Sequence, residues 1–254
     1  MPVTTPSPEH APPRAHLESR PRRRWPVPAV MVVAAAFLAV ELPAYIHLDP
    51  ASSRIPLRPD YPLHYALLVA HIGFGSIALL TACLQIWPWL RSHHPRVHRW
   101  SGRTYLFAGV FPGSIVVLGV APVSSTGFVS ATGNTFLAVL WLSTSIAGYR
   151  AARDRRYADH RAWTIRSVAL TFSIVLNRVW LVIYLVALAP LLGSLYGYGQ
   201  TALTVAAAGA SVWTSWVVSL LAVEWWLLRP RRPGRVVIGA GQPIESVEPP
   251  GMAD

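Results

Sequence analysis

HRWSGRTYLFAGVFPGSIVVLGVA, residues 98–121, is a basic, tryptophan-bearing approach followed by an apolar run. From about residue 102 the run is long enough to cross a bilayer, which takes roughly 20 mostly apolar residues. The same grammar recurs along the chain, with further apolar runs at 26–46, 62–88, 131–150, 163–190 and 203–228. All 22 Lys/Arg positions are arginine, and their placement orders these six runs. Five precede the first run, four lie between the second and third (Arg91, Arg96, Arg99, Arg103), six between the fourth and fifth (Arg150 to Arg166) and four follow the sixth. Only Arg54 and Arg58 fall in the alternate connections, and Arg178 lies inside the fifth run. Basic residues stay on the cytoplasmic side. The pattern therefore predicts an all-α polytopic membrane protein, six transmembrane helices in one bundle, with both the N and C termini cytoplasmic.

Composition points the same way. A hydrophobic fraction of 53% with 13% charged residues leaves too little polar surface to clothe a soluble domain. The net charge of +11 is not a nucleic-acid footprint, because the arginines sit at helix ends beside Trp25, Trp87, Trp89, Trp100, Trp163, Trp225 and Trp226. Arginine and tryptophan at one level mark a membrane interface, and the basic face should attract anionic lipids. The expected domains are a disordered basic tail over 1–25, the transmembrane domain over 26–229 and a disordered tail over 230–254. The first run, with its leader Arg20 to Arg24, reads as an uncleaved span. The single cysteine, Cys83, excludes an internal disulfide.

Ionisable groups inside a bilayer are costly and face the bundle interior. Glu41, His71 and Arg178 are predicted to share a layer in the outer half, as an intramembrane polar site in which Glu41 pairs with Arg178. Either a structural ion pair or a site for an anionic group would need that arrangement. His160, Thr164, Ser167 and Thr171 all fall within about 40° of Arg178 on a helical wheel. Asn134, Ala138, Trp141 and Ser145 share a face of the fourth run, and Pro112 should kink the third. Glu224 could pair with Arg103, Arg161 or Arg166. No metal-ligand spacing or phosphate-loop motif is present.

A short repeat stands out: His98-Arg-Trp-Ser-Gly-Arg103 and His160-Arg-Ala-Trp-Thr-Ile-Arg166 each open an outgoing helix. Facing histidines at one depth suit the axial ligation of haem b, so His71, His98 and His160 are the candidate haem residues. Three readings follow: a haem- or quinone-linked membrane electron carrier, a small-solute or ion transporter using Glu41, His71 and Arg178, or an assembly subunit without chemistry. Whether the chain is an enzyme stays open.

Taken together, His71 with Gly73 and Gly75, His98-Arg-x-x-Gly-Arg-x-Tyr105, His160-Arg-x-Trp-x-x-Arg166, Arg178 and Glu224 resemble the bacterial membrane-protein family known as domain of unknown function 2306, over roughly 60–228. The resemblance implies a multipass protein of the bacterial plasma membrane and no particular activity. His98-x-Trp-x-Gly is also similar, faintly, to the haem helices of cytochrome b561, although two clear histidine pairs at matching depths are lacking.

Overall fold

An apolar segment that lies in lipid must satisfy its own backbone N–H and C=O groups, which a helix does within itself. The computed structural model describes residues 27–191, 193, 197 and 199–229, and among them there is no strand. Helix α1 spans Val27–Glu41 and runs on as a 3-10 turn over Leu42–Tyr45. Then come α2 (His64–Gln85), the short α3 (Pro88–His93) and α4 (Pro95–Thr104). A π-helical segment, Tyr105–Val110, joins α4 to α5 (Phe111–Val120). Helices α6 (Phe128–Arg153), α7 (Tyr157–Leu188) and α8 (Gln200–Leu228) complete the domain. The tails expected over 1–25 and 230–254 lie outside the described residues.

Five segments are long and apolar enough to cross a membrane: Val27–Tyr45, His64–Gln85, Pro95–Val120, Tyr157–Leu191 and Gln200–Leu228. The third begins at Pro95, seven residues before the expected 102, because proline at the first helical position pre-sets the turn. His98, Arg99 and Arg103 are thereby helical. The expected span at 131–150 is a helix of 26 residues, α6, but it is less apolar than the other five. The hydroxyls of Ser130, Thr132, Thr135, Ser143, Thr144 and Ser145 lower its hydropathy. Three of these, Ser130, Thr144 and Ser145, are buried, where α6 packs against α5, α7 and α8.

Helix α7 lies against both α6 and α8, while α2 packs along α4, the π segment and α5, and α1 lies on α2. The main core joins Ala78, Ala82, Tyr105, Leu106, Val110, Trp141, Val168, Leu170 and Trp216. A second cluster, Ala34, Leu38, Leu79 and Cys83, holds α1 to α2. Small residues permit close approach where lipid supplies no hydrophobic drive between helices. At Gly109 an added Cβ would stand 2.9 Å from the Cα of Ala78, so two backbones meet there. Pro112 acts less as the expected kink than as the source of the π segment. It lacks an N–H and its ring crowds the carbonyl four residues earlier, and the widened turn over Tyr105–Val110 relieves that contact. The Phe111 N–H bonds five residues back, to the Leu106 carbonyl. Outward positions such as Val32, Leu80, Ile115, Val139, Val186 and Leu221 are exposed and apolar, as a lipid-facing surface requires.

Candidate anion-binding cavity

At the end of the bundle where α4 and α7 begin and α6 ends, the helices enclose a cavity of about 690 Å³. Its wall carries five arginines: Arg91 from α3, Arg99 and Arg103 from α4, Arg153 from α6 and Arg161 from α7. His98 and His160 also line it, and no aspartate or glutamate does. Among the described residues none of the five arginines pairs with a carboxylate. Two of them rest on aromatic faces, Arg103 5.7 Å from the Trp100 ring centre and Arg161 5.9 Å from that of Trp226. The first helical residues of α4 and α7, Pro95 and Tyr157, both lie on the wall. Neither helix has a side-chain cap: the side chains at those positions, His94 and Arg156, take no bond from the first turn. The early backbone N–H groups of a helix have no partner within it, so both helix starts add positive potential here. The two copies of the His-Arg repeat thus converge on one cavity.

The two histidines are held differently. His160 Nδ1 lies 2.9 Å from the Gly148 carbonyl oxygen. A carbonyl only accepts, so Nδ1 carries the proton and Nε2 keeps its lone pair. His98 Nδ1 is buried without a partner. The His98 carbonyl is anchored by Gln85 Nε2 at 3.0 Å, and the same amide donates to Ser101 Oγ at 2.7 Å.

Below the cavity lies a closed set of hydroxyls, two of whose members, Tyr105 and Ser145, reach its wall. Ser145 Oγ donates to the Trp141 carbonyl at 2.7 Å and lies 2.5 Å from Ser167 Oγ. Ser145 spends its proton on the carbonyl, so Ser167 donates to Ser145. Ser167 in turn accepts from the Tyr105 hydroxyl, 2.5 Å away. Thr171 shares its proton between the Tyr105 oxygen at 2.7 Å and the Ser167 carbonyl at 3.0 Å, and accepts from Trp141 Nε1 at 2.9 Å. Tyr105 also receives Trp141 Nε1 at 3.2 Å. Every proton in this group has an acceptor, which makes it a polar clasp between the π segment, α6 and α7.

At the opposite end Arg178 Nε donates to Glu41 Oε1 at 2.9 Å. Arg54 shares that carboxylate, its Nη1 3.6 Å from Oε2, and its Nη2 donates to the Val40 carbonyl at 2.7 Å. Arg178 Nη1 reaches Asn177 Oδ1 at 3.3 Å, and Asn177 Nδ2 donates to Ser211 Oγ at 3.1 Å, which ties α1 through α7 to α8. His71 makes no bond to this group. Its ring faces the Gly113 backbone of α5, and its Nδ1 is buried without a partner. His71 does not line the arginine cavity either, so it stands apart from both His98 and His160. Of the three expected partners for Glu224, the structure selects Arg166: Nε to Oε1 at 2.5 Å and Nη2 to Oε2 at 2.9 Å. Arg103 instead lines the cavity, and Asn134 stays half-buried on α6, outside the clasp that Thr171 joins.

Sequence reasoning placed Thr171 and Ser167 on one face of the fifth run and Trp141 and Ser145 on one face of the fourth but missed Tyr105 as their hub. It read Arg91, Arg99 and Arg153 as topology markers only. The signal for the cavity was the repeat itself, since two equivalent helix starts carry the same basic set. Among the described residues no group of three or more His, Cys, Asp or Glu is placed to hold a metal ion. No curated protein and no solved structure matches the chain. A family described as "Predicted membrane protein (DUF2306)" matches residues 68–227, from within α2 to near the end of α8. With every apolar helix after α1 wholly or largely inside the matched stretch, and the cavity-lining histidine motifs with them, the chain belongs to that family of membrane proteins of unknown function.

Proposed function

We propose that this membrane protein binds an anionic ligand in the arginine cavity, at the cytoplasmic face of a bacterial plasma membrane. One observation carries the reading: five guanidinium groups and two histidines surround one space with no carboxylate among them. Positive-inside topology accounts for arginines on one side of the membrane, but it does not require them to wall a common cavity. Enclosure between low-dielectric helices focuses their field on whatever enters. Six spans fit this best. The end of α6 and the starts of α4 and α7 share the cavity, so α6 has to run the length of the bundle. About 1.5 Å per residue gives its 26 residues ample reach. The nineteen-to-two arginine split then favours the cavity side as cytoplasmic, where anionic lipids would meet it.

Haem b is the second reading, and the histidines favour it. The Nδ1–H of His160 bonded to Gly148 leaves Nε2 free, the arrangement that orients ligating histidines. His98, with an unpartnered ring nitrogen, shares the same wall. His98 and His160 would hold the iron and the arginines its propionates, and the group would supply one-electron transfer. Charge decides the order of the two readings. The propionates of one haem would engage two of the five arginines and leave three unanswered. A quinone carries no charge to answer them. The Glu41 carboxylate joins Arg178 to Arg54, on α7 and the α1–α2 connection, and lies apart from His71, which favours a structural tie over a transport site.

The test is equilibrium binding to purified protein in neutral detergent, followed by tryptophan fluorescence, with citrate, inorganic phosphate and myristate as probes. Binding of at least one anion should weaken tenfold or more in the combined Arg99→Gln, Arg153→Gln, Arg161→Gln variant. Equal binding by parent and variant would sink the reading. A Soret band that shifts on reduction, lost in His160→Ala, would promote haem instead.

A further inference from the structure

We infer that the anion is a phosphoryl group, as a phosphomonoester or diphosphate, seated between the starts of α4 and α7; this rests on the anion-binding reading above. Charge density is the first argument. A carboxylate offers one charge, whereas a phosphomonoester carries about −1.5 to −2 near neutral pH and three strong acceptor oxygens. Arg99, Arg103, Arg153 and Arg161 come from three helices, so they approach a central group from several directions. Guanidinium forks meet tetrahedral oxygens in bidentate fashion.

The second argument is independent of side-chain charge. Both helices that begin on the cavity wall are long, 26 residues for Pro95–Val120 and 32 for α7, and neither has a side-chain cap. The first turn of a long helix favours phosphate, and here two such starts share one space; Pro95 has no N–H and that of Tyr157 is taken by the Arg155 carbonyl, which leaves the residues that follow them to face an anion. The third is His98, whose ring lines this wall beside that of His160. An imidazole on the wall offers a ring N–H that a phosphoryl oxygen accepts. Hydroxyls do not compete, since the Tyr105 and Ser145 protons are already engaged. The same chemistry reaches this face from two sources, a lipid headgroup or a soluble diphosphate.

The experiment uses the full chain in phosphatidylcholine nanodiscs, titrated calorimetrically with inorganic pyrophosphate and, separately, with citrate at matched ionic strength. A parallel preparation contains phosphatidic acid. Pyrophosphate should bind at least tenfold more tightly than citrate, and Arg99→Gln with Arg153→Gln should remove that preference. Both arginines are exposed, so these replacements leave the fold intact, which thermal melting checks. His98→Phe should also weaken pyrophosphate while leaving citrate unchanged. If phosphatidic acid displaces bound pyrophosphate, the source is the lipid; if it does not, the source is soluble, and either result supports the phosphoryl assignment. Citrate bound as tightly as pyrophosphate overturns this inference while the anion reading stands. No anion distinguishing parent from arginine variant overturns both.

Discussion

Tyr105 donates to Ser167, which donates to Ser145, which donates to a backbone carbonyl. Removing the phenolic hydroxyl leaves acceptors without their donor in a buried setting, which costs about 1–3 kcal/mol. Tyr105→Phe should therefore lower the midpoint of thermal unfolding in detergent, and by more than Ser92→Ala, which removes an exposed hydroxyl. Equal midpoints would show that the clasp contributes nothing. Glu41 and Arg178 obey a different rule. Arginine at mid-membrane is disfavoured by about 2.5–3.5 kcal/mol on insertion scales, so Glu41→Leu alone should fold worse than the parent. Glu41→Leu with Arg178→Leu should recover much of that loss, because a buried pair can be replaced by apolar residues. Yield of monodisperse protein on a sizing column reads the difference. A double variant no better than Glu41→Leu would mean that Arg178 does not depend on Glu41.

Two glycines on one transmembrane segment make opposite demands. Gly109 in the π segment faces Ala78 so closely that a methyl group would strike backbone on α2. Overpacking of this kind costs about 1–3 kcal/mol. Gly119 in α5 has nothing within 4 Å of an added Cβ, and alanine there gains helix propensity of up to about 1 kcal/mol. Gly109→Ala should lower the unfolding midpoint and Gly119→Ala should hold or raise it; the reverse order would mean that the α2 contact is loose. The spacing that hides Gly109 also explains what could be foreseen at this scale. Apolar length announces a helix, and Pro112 announces a disturbance. Proline does not say whether a helix kinks or widens, and here the wider turn brings Tyr105 into the core. The faces read from the sequence lie on the fourth and fifth runs, whereas Tyr105 belongs to the third, where only the Pro112 disturbance was foreseen.

Across the whole molecule, orientation is the property the arginines address. Cysteine placed at Ala51 should react with an impermeant maleimide in intact cells, and cysteine at Ser92 should not. Both positions are exposed, and the native Cys83 is buried, so it adds no background. Labelling at Ser92 alone would invert the orientation and put the cavity outside. The helical bundle was legible because each apolar run repeats one physical requirement, to satisfy its backbone in lipid. The cavity was less so. Arg91, Arg99 and Arg153 obey the same interfacial rule whether or not they face a shared space, and only packing brings them together. His71 shows the limit most clearly: depth along a helix placed it in one layer with Arg178, but its side chain turns toward Gly113.

The carboxylate of Glu41 has a consequence for how the protein is made. The family match covers 68–227 and omits α1, yet the guanidinium that Glu41 neutralises lies inside the matched stretch. In synthesis from the N-terminus, α1 emerges well over a hundred residues before α7, since Glu41 and Arg178 stand 137 positions apart. Glu41 must wait in the interface, served by Arg54, until its principal partner arrives. Insertion of α7 is then a docking event onto an element already in place, with α1 serving as an internal assembly factor for the rest. A chain starting at residue 60 should insert α7 poorly, and a separately expressed fragment 1–59 should rescue it; rescue by that fragment carrying Glu41→Gln should be weaker, as read by protease protection of the α7–α8 connection.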